Sequence, residues 1–168
     1  MLRWLVNAST SGTCRVYDGH YLVGNYYQWN AATAGTGGGI INTNASGSVC
    51  PKGWKLPSSS NNTTKGTFGY MLSQYGVQSK INVAAGAVNS PVNGNNYDIA
   101  LSPLFFVRGG WINPNNTNKF SDAGQYGYGW SSRADSSTNY AYELYFGSSS
   151  VGPSSNLYRY FGLSLRCL

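Results

Sequence analysis

The sequence predicts an α+β fold, rich in strands and loops, with one clear helix. Three observations carry this expectation. Around Lys65 to Tyr75, Phe68, Met71, Leu72 and Tyr75 fall at i, i+3, i+4 and i+7, the spacing of one helix face. Tyr140 to Phe146 alternates instead, the period of a strand, with Tyr142, Leu144 and Phe146 on a face assigned to the core and Glu143 and Tyr145 pointing the other way. Between such segments run stretches of Ser, Asn, Thr and Gly that read as loops.

Taken in order, Tyr21 to Trp29 carries a strand signal, and Gly35 to Gly39 after it reads as a loop. The Ser- and Asn-rich run from Pro57 to Thr64 leads into the helix and supplies N-cap candidates. Ile81 to Val88 is apolar but interrupted by Gly86, so helix and loop both stay open there. Leu101 to Val107 is a short apolar run. Gly127 to Ser132 sets Tyr128 and Trp130 between small residues, a second strand pattern. Leu163 to Cys167 reads as a closing strand. Gly147 to Gly162, between the last two strands, reads as a long polar loop, and loops of that length in compact domains usually serve a function.

The 168 residues fit one domain, 1–168, with 1–20 as a leader or linker from a longer parent chain. Charged residues make up only 10% and aromatics 15%, with 14 Tyr. An intracellular domain carries roughly a quarter charged residues, so this chain relies on neutral hydrogen-bonding groups for its hydration. Tyr beside Ser, Gly and Asn is also the chemistry of antibody paratopes, where a rigid ring gives contact area at small entropic cost. Such a composition points to an extracellular or cell-surface protein. Eleven Lys and Arg stand against five acidic residues, but the cations are scattered. No basic run tracks a phosphate backbone, so no nucleic-acid partner is expected. No apolar stretch reaches membrane-spanning length, so no direct membrane insertion is expected from this segment.

Catalysis is poorly provisioned. There is one His, His20, and the carboxylates are Asp18, Asp98, Asp122, Asp135 and Glu143. No G-x-S-x-G elbow occurs, and the Gly35–Gly39 run lacks the Lys and Ser/Thr of a phosphate loop. The chain is therefore expected not to be an enzyme, and to take no cofactor and no metal. The cysteines are Cys14, Cys50 and Cys167, whose spacing fits no zinc site. An odd count points to one bridge and one remaining thiol.

Four separated segments carry a more specific signal. They are Asn25-Tyr-Tyr-Gln-Trp-Asn-Ala-Ala-Thr-Ala34, Val49-Cys-Pro-Lys-Gly-Trp-Lys-Leu-Pro57, Gly129-Trp-Ser-Ser132 and Gly162-Leu-Ser-Leu-Arg-Cys167. Together they resemble the bacterial surface-domain family of the Fibrobacter major paralogous type, over about Tyr21 to Leu168. The resemblance implies a C-type-lectin-like fold of the formylglycine-generating-enzyme subtype, with a Cys50–Cys167 disulfide, Cys14 left over, and Trp54 and Trp130 as core plugs. The chain departs from the wider fold in having no Glu-Pro-Asn or Trp-Asn-Asp triplet of calcium-dependent lectins, and no counterpart of the paired cysteines of the enzymes.

Similar scaffolds serve as variable proteins of diversity-generating retroelements, in which Asn codons near the C-terminus are randomised at adenines. Such codons cannot become Lys, Glu, Gln, Met or Trp. From Ser131 to Leu168 the chain has no Lys, Gln, Met or Trp and one Glu. The resemblance thus implies a diversified ligand-binding face made of Asp135, Tyr145, Gly147, Ser149, Gly152, Ser155, Asn156, Leu157, Tyr158, Tyr160 and Phe161. Its partner would be a protein or glycan on another cell or virus. Leu157, Tyr158 and Phe161 are unusual for an exposed loop, and each is reachable from an Asn codon. The alternative is a fixed-sequence adhesin or carbohydrate-binding module on the same scaffold.

Overall fold

A computed structural model describes residues 25–59, 66–74, 106, 108–116, 120–123, 125–147 and 151–168. Within them the chain forms α1 (Trp29–Ala32), α2 (Gly66–Gln74), β1 (Trp111–Ile112), β2 (Phe120–Ser121), β3 (Gly127–Ala134), β4 (Tyr140–Phe146) and β5 (Val151–Tyr158). The architecture is α+β and strand-rich. Strands β3, β4 and β5 make an antiparallel sheet in that order, and β1 pairs with β2. Cys14, His20, Tyr75, Ser149, the Ile81–Val88 run and most of Leu101–Val107 lie outside the described residues.

Strand β4 spans the alternating segment, but its burial differs from a simple two-face pattern. Leu144 and Phe146 are buried, and so are Ala141 and Glu143 on the other face, while Tyr142 is half-buried. Both faces of the sheet are covered, each along only part of its length. Cross-strand partners share a face, so the pairs Gly127↔Phe146 and Gly129↔Leu144 define one side and Trp130↔Glu143 and Ala134↔Ala141 the other. On the first side Phe106 meets Phe146 edge-on at 6.1 Å and Phe68 of α2 at 6.4 Å. Glycine is required opposite Phe146, because a Cβ on Gly127 would overlap its ring. On the second side Trp29, Ala32, Leu56, Trp130, Ala134, Ala141 and Leu163 form the main core. Its two indoles are satisfied reciprocally: Trp29 Nε1 donates to the Ser131 carbonyl (2.8 Å) and Trp130 Nε1 to that of Tyr27 (2.7 Å).

Several sequence expectations are corrected here. Within the long loop expected over Gly147–Gly162, of which residues 148–150 lie outside the described residues, Val151–Tyr158 is a strand, β5. It escapes the usual signals because Pro153, Gly152 and a run of Ser interrupt any alternation. The β4–β5 register shifts by one residue between Glu143 and Tyr145, a bulge that leaves Pro153 and Ser154 opposite Leu144. A bulge on an edge strand is where a residue lacking an N–H fits. Of the strand expected over Tyr21–Trp29, residues 21–24 lie outside the described residues, and within 25–29 Tyr27 makes a single bridge to Leu163, after which Trp29 opens α1. The closing strand over Leu163–Cys167 is instead a stitch: Gly162 bridges Ile112, Leu163 bridges Tyr27, and Ser164 bridges Gly129.

That stitch ends in the Cys50–Cys167 disulfide, with a Cα–Cα distance of 5.8 Å and a separation of 117 residues. Lys55 and Leu168 exchange both backbone hydrogen bonds beside it, each at 2.9 Å. Closing so long a loop contributes about 4–5 kcal/mol in the chain-entropy account. Trp130 is a core plug, fully buried, whereas Trp54 is 57% exposed. The Pro51–Trp54 turn, closed by Trp54 N–H to the Pro51 carbonyl (2.9 Å), sets that indole outward.

Candidate functional site

The hairpin end of the sheet carries the most unusual surface of the described residues. On β4 and β5 the pairs Tyr140↔Tyr158 and Tyr142↔Asn156 share a face. This is the same side of β4 as Leu144 and Phe146, but among the described residues no aromatic layer like that of Phe106 and Phe68 covers it here. Tyr140 and Tyr158 approach to 4.3 Å between ring centroids, Tyr158 stacks on Tyr160 at 5.2 Å, and Phe161 meets Tyr160 edge-on at 4.6 Å. Tyr158 and Tyr160 are more than a third exposed, whereas Phe161 is buried, leaning on Trp111 at 4.5 Å. The outer rings thus rest on an inner one.

Arg159, between the two exposed tyrosines, fixes their position. Its backbone N–H donates to the Asn139 carbonyl (2.9 Å), and its own carbonyl accepts from Trp29 N–H (2.9 Å). Its guanidinium lies 4.4 Å from the Trp29 ring and donates to the carbonyls of Tyr140 (2.8 Å), Ile40 (2.7 Å) and Gly37 (3.2 Å). One buried cation therefore ties α1, the 36–40 turn and the β3–β4 hairpin together. Burial lowers its pKa and the Asp135 charge partly restores it. Arg159 is turned inward at the end of β5, while its neighbours Tyr158 and Tyr160 face solvent.

Asp135 organises the hairpin loop. One carboxylate oxygen accepts from Ser136 Oγ (3.0 Å) and the Ser137 N–H (3.3 Å), and the other from Asn156 Nδ2 (3.1 Å). Burial raises its pKa, but the hydrogen bonds from Asn156, Ser136 and Ser137 outweigh this and hold it below the ordinary carboxylate value. Tyr142 is shifted upward by burial and then by the Asp135 charge, and the Arg133 guanidinium lies 5.9 Å from its ring. Tyr140 is shifted upward first by its hydrogen bond with Tyr158. These two hydroxyls stay protonated at neutral pH and serve as donors as well as acceptors. Beside the rings opens a cavity of about 380 Å³ lined by Gln28, Asn30, Thr138, Asn139, Tyr158 and Tyr160 together with Arg159. Neutral amides and hydroxyls thus surround aromatic planes, which suits reversible recognition.

The residues expected to form the diversified face separate into groups. Asp135, Asn156, Tyr158 and Tyr160 come together at the hairpin end. Leu157 is half-buried against the main core, and Phe161 is buried, so neither is a loop side chain in solvent. Ser155 is half-buried opposite the buried Glu143. Gly152 pairs with Tyr145 at the far end of the sheet, where Tyr145 is half-buried and stacks on Tyr126 at 5.4 Å. Gly147 is buried there, and a Cβ on it would stand 2.6 Å from the Tyr126 ring. Sequence reasoning missed Tyr140, Asn139, Gln28, Asn30 and the inward role of Arg159, and it assigned Tyr142 to the core. The alternation of Tyr140 and Tyr142 was visible, but nothing local says where the aromatic cover over a strand ends.

Among the described residues no group of His, Cys, Asp and Glu side chains is placed to hold a metal ion. No described helix is long and apolar enough to cross a membrane. No family description, characterised protein or solved structure matches the chain.

Proposed function

We propose that this chain is a ligand-binding domain of a prokaryotic cell surface, with a C-type-lectin-like fold of the formylglycine-generating-enzyme subtype, and that its hairpin-end tyrosine face is the binding surface. The observation that carries this reading is the Tyr140–Tyr158–Tyr160 array, held over a buried Arg159 and bordered by an amide-lined cavity. Exposed rings that are already ordered lose little entropy on binding, and aromatic anchors dominate interface energetics. The face binds and does not catalyse, its partner being a protein or glycan on another cell or virus. A disulfide linking two of the family-like segments favours an oxidising, extracellular compartment.

The same reading makes the chain a variable protein of a diversity-generating retroelement. Asn156, Tyr158 and Tyr160 would be diversified positions, and Arg159 a fixed one. Genomic sequence around the coding region tests this directly. It should show a reverse transcriptase gene and a template copy of the C-terminal coding segment, differing at adenines, with mismatches falling on the codons for 156, 158 and 160. A locus with neither element leaves the fixed adhesin or carbohydrate-binding module. Binding itself is tested by probing cell-surface protein and glycan arrays with the domain and with Tyr158→Ser/Tyr160→Ser. Specific signals lost in the variant support the face, and signals that survive it place recognition elsewhere.

A further inference from the structure

A second surface, apart from the tyrosine face, centres on Trp54. An indole in water forfeits burial energy, yet this one is held out by a rigid frame. Gly53 sits at φ 88°, a value that suits glycine, in the turn closed by Trp54 N–H and the Pro51 carbonyl. Cys50 before the turn is bridged to Cys167, and Lys55 after it is paired with Leu168. Trp54 borders a cleft of about 480 Å³.

The opposite rim, residues 44–48, is equally fixed. Ala45 N–H donates to the Ser132 carbonyl (2.8 Å), Ser132 Oγ donates to Asn44 Oδ1 (3.1 Å), and Gly47 N–H donates to Thr36 Oγ1 (2.8 Å). The floor includes Ser58 and Thr67 at the start of α2, where each backbone N–H donates to the other's hydroxyl, at 3.1 and 3.0 Å. The lining is mostly hydroxyl, amide and backbone groups, and among the described residues its charged side chains are Lys52 and Lys55, with no carboxylate side chain. Both lysines are exposed, and α2 adds the positive end of its dipole.

We propose that this cleft is a second ligand site, built for an acidic carbohydrate. A pyranose ring would lie on the indole of Trp54, with its hydroxyls toward the Ser and Asn lining and its carboxylate or sulfate against Lys52 and Lys55. Each part of the lining answers one property of such a ligand. The flat aromatic plane matches the C–H face of a sugar ring, and the neutral polar rim matches its hydroxyls. Two exposed cations on one rim favour a negative charge. Among the described lining residues a lipid chain or an apolar side chain would meet mostly polar groups.

The test titrates the full chain with trigalacturonate, sialyllactose and a sulfated heparin disaccharide, against neutral maltotriose and an oligothymidylate. At least one acidic sugar should saturate with a Kd below about 1 mM and exceed maltotriose roughly tenfold in affinity. That binding should weaken as salt rises. Trp54→Ala and Lys52→Gln/Lys55→Gln should each lower affinity by roughly a factor of ten, with melting temperatures unchanged because these side chains are exposed. Tyr158→Ser/Tyr160→Ser should bind the acidic sugar as the parent does, which separates this cleft from the tyrosine face. The proposal is overturned if no acidic sugar binds, if maltotriose binds as well, if oligothymidylate binds more tightly, or if Trp54→Ala leaves affinity intact.

Discussion

Strand β4 carries four residues on one of its faces, Tyr140, Tyr142, Leu144 and Phe146, and their fates differ by end. Leu144 and Phe146 are closed off from solvent, with Phe106 and Phe68 layered beyond Phe146. Tyr140 and Tyr142, on the same face a few residues earlier, stay half-buried beside Tyr158, Asn156 and Arg133. Periodicity places a residue on a face; only what packs over that face decides between core and surface. The chain uses one strand for both purposes, and the hydroxyls of the tyrosines make the half-buried end tolerable in water.

The comparison is sharpened most strongly at the covered end. Phe146→Ala should cost about 3–5 kcal/mol of unfolding free energy, through lost burial and the cavity left beside Phe106 and Gly127. Urea denaturation at constant slope reads this directly, and a loss near that of a surface substitution would mean that the aromatic layer is loose.

Next in size is a pH effect from the opposite face. Glu143 is 1% exposed, one carboxylate oxygen has no hydrogen-bond partner, and burial pushes its pKa up to about 8, only partly opposed by Ser155. A carboxyl whose folded pKa lies above its unfolded value binds its proton more tightly when folded. Its stabilising effect is full below the unfolded pKa and is lost as pH rises to about 8. Stability should therefore fall between about pH 5 and pH 8 by roughly 3 kcal/mol, each unit of pKa difference being worth about 1.4 kcal/mol. Glu143→Gln should flatten that slope. A rise in stability over the same window would contradict the burial.

Arg159 links the two ends and should show an intermediate effect. Arg159→Lys keeps the charge but loses the planar fork that reaches the carbonyls of Tyr140, Gly37, Ile40 and Ser137 and lies over Trp29, at a cost of about 1.5–3 kcal/mol. Because Arg159 also sets the direction of Tyr158 and Tyr160, the same variant should disturb ligand binding, as seen on the protein and glycan arrays.

How much of this was legible in the sequence depends on how local the determining contacts are. The bounds of β4 and the helix within Lys65–Tyr75 followed from spacing, because alternation and helical periodicity are properties of neighbouring residues, whereas the inward Trp130 followed from the family resemblance. The Cys50–Cys167 bridge followed from a family-like motif, not from spacing. Strand β5 was hidden by Pro153 at its bulge, whose accommodation depends on its place at the edge of the sheet. Trp54 was misplaced because a Pro-Lys-Gly turn that ends in tryptophan does not say whether the ring points in or out. Glu143 was assigned outward since charge ordinarily seeks water, yet Trp130 beside it and the core beneath Ala141 close that face. Of the candidate site, Tyr158 and Tyr160 followed from the family resemblance. Tyr140, Asn30 and Gln28 join them only through long-range pairing.

The smallest expected effect is also the most informative. Tyr158→Ser/Tyr160→Ser removes the two exposed rings, and exposed substitutions usually lie within about 0.5 kcal/mol of neutral. Urea denaturation of this double variant beside Phe146→Ala tests whether the hairpin-end face exists for recognition and not for stability. The account predicts a loss of at most about 1 kcal/mol for the tyrosine pair against 3 kcal/mol or more for Phe146→Ala. Equal losses from the two would make the tyrosine array part of the core and remove the basis for a binding face.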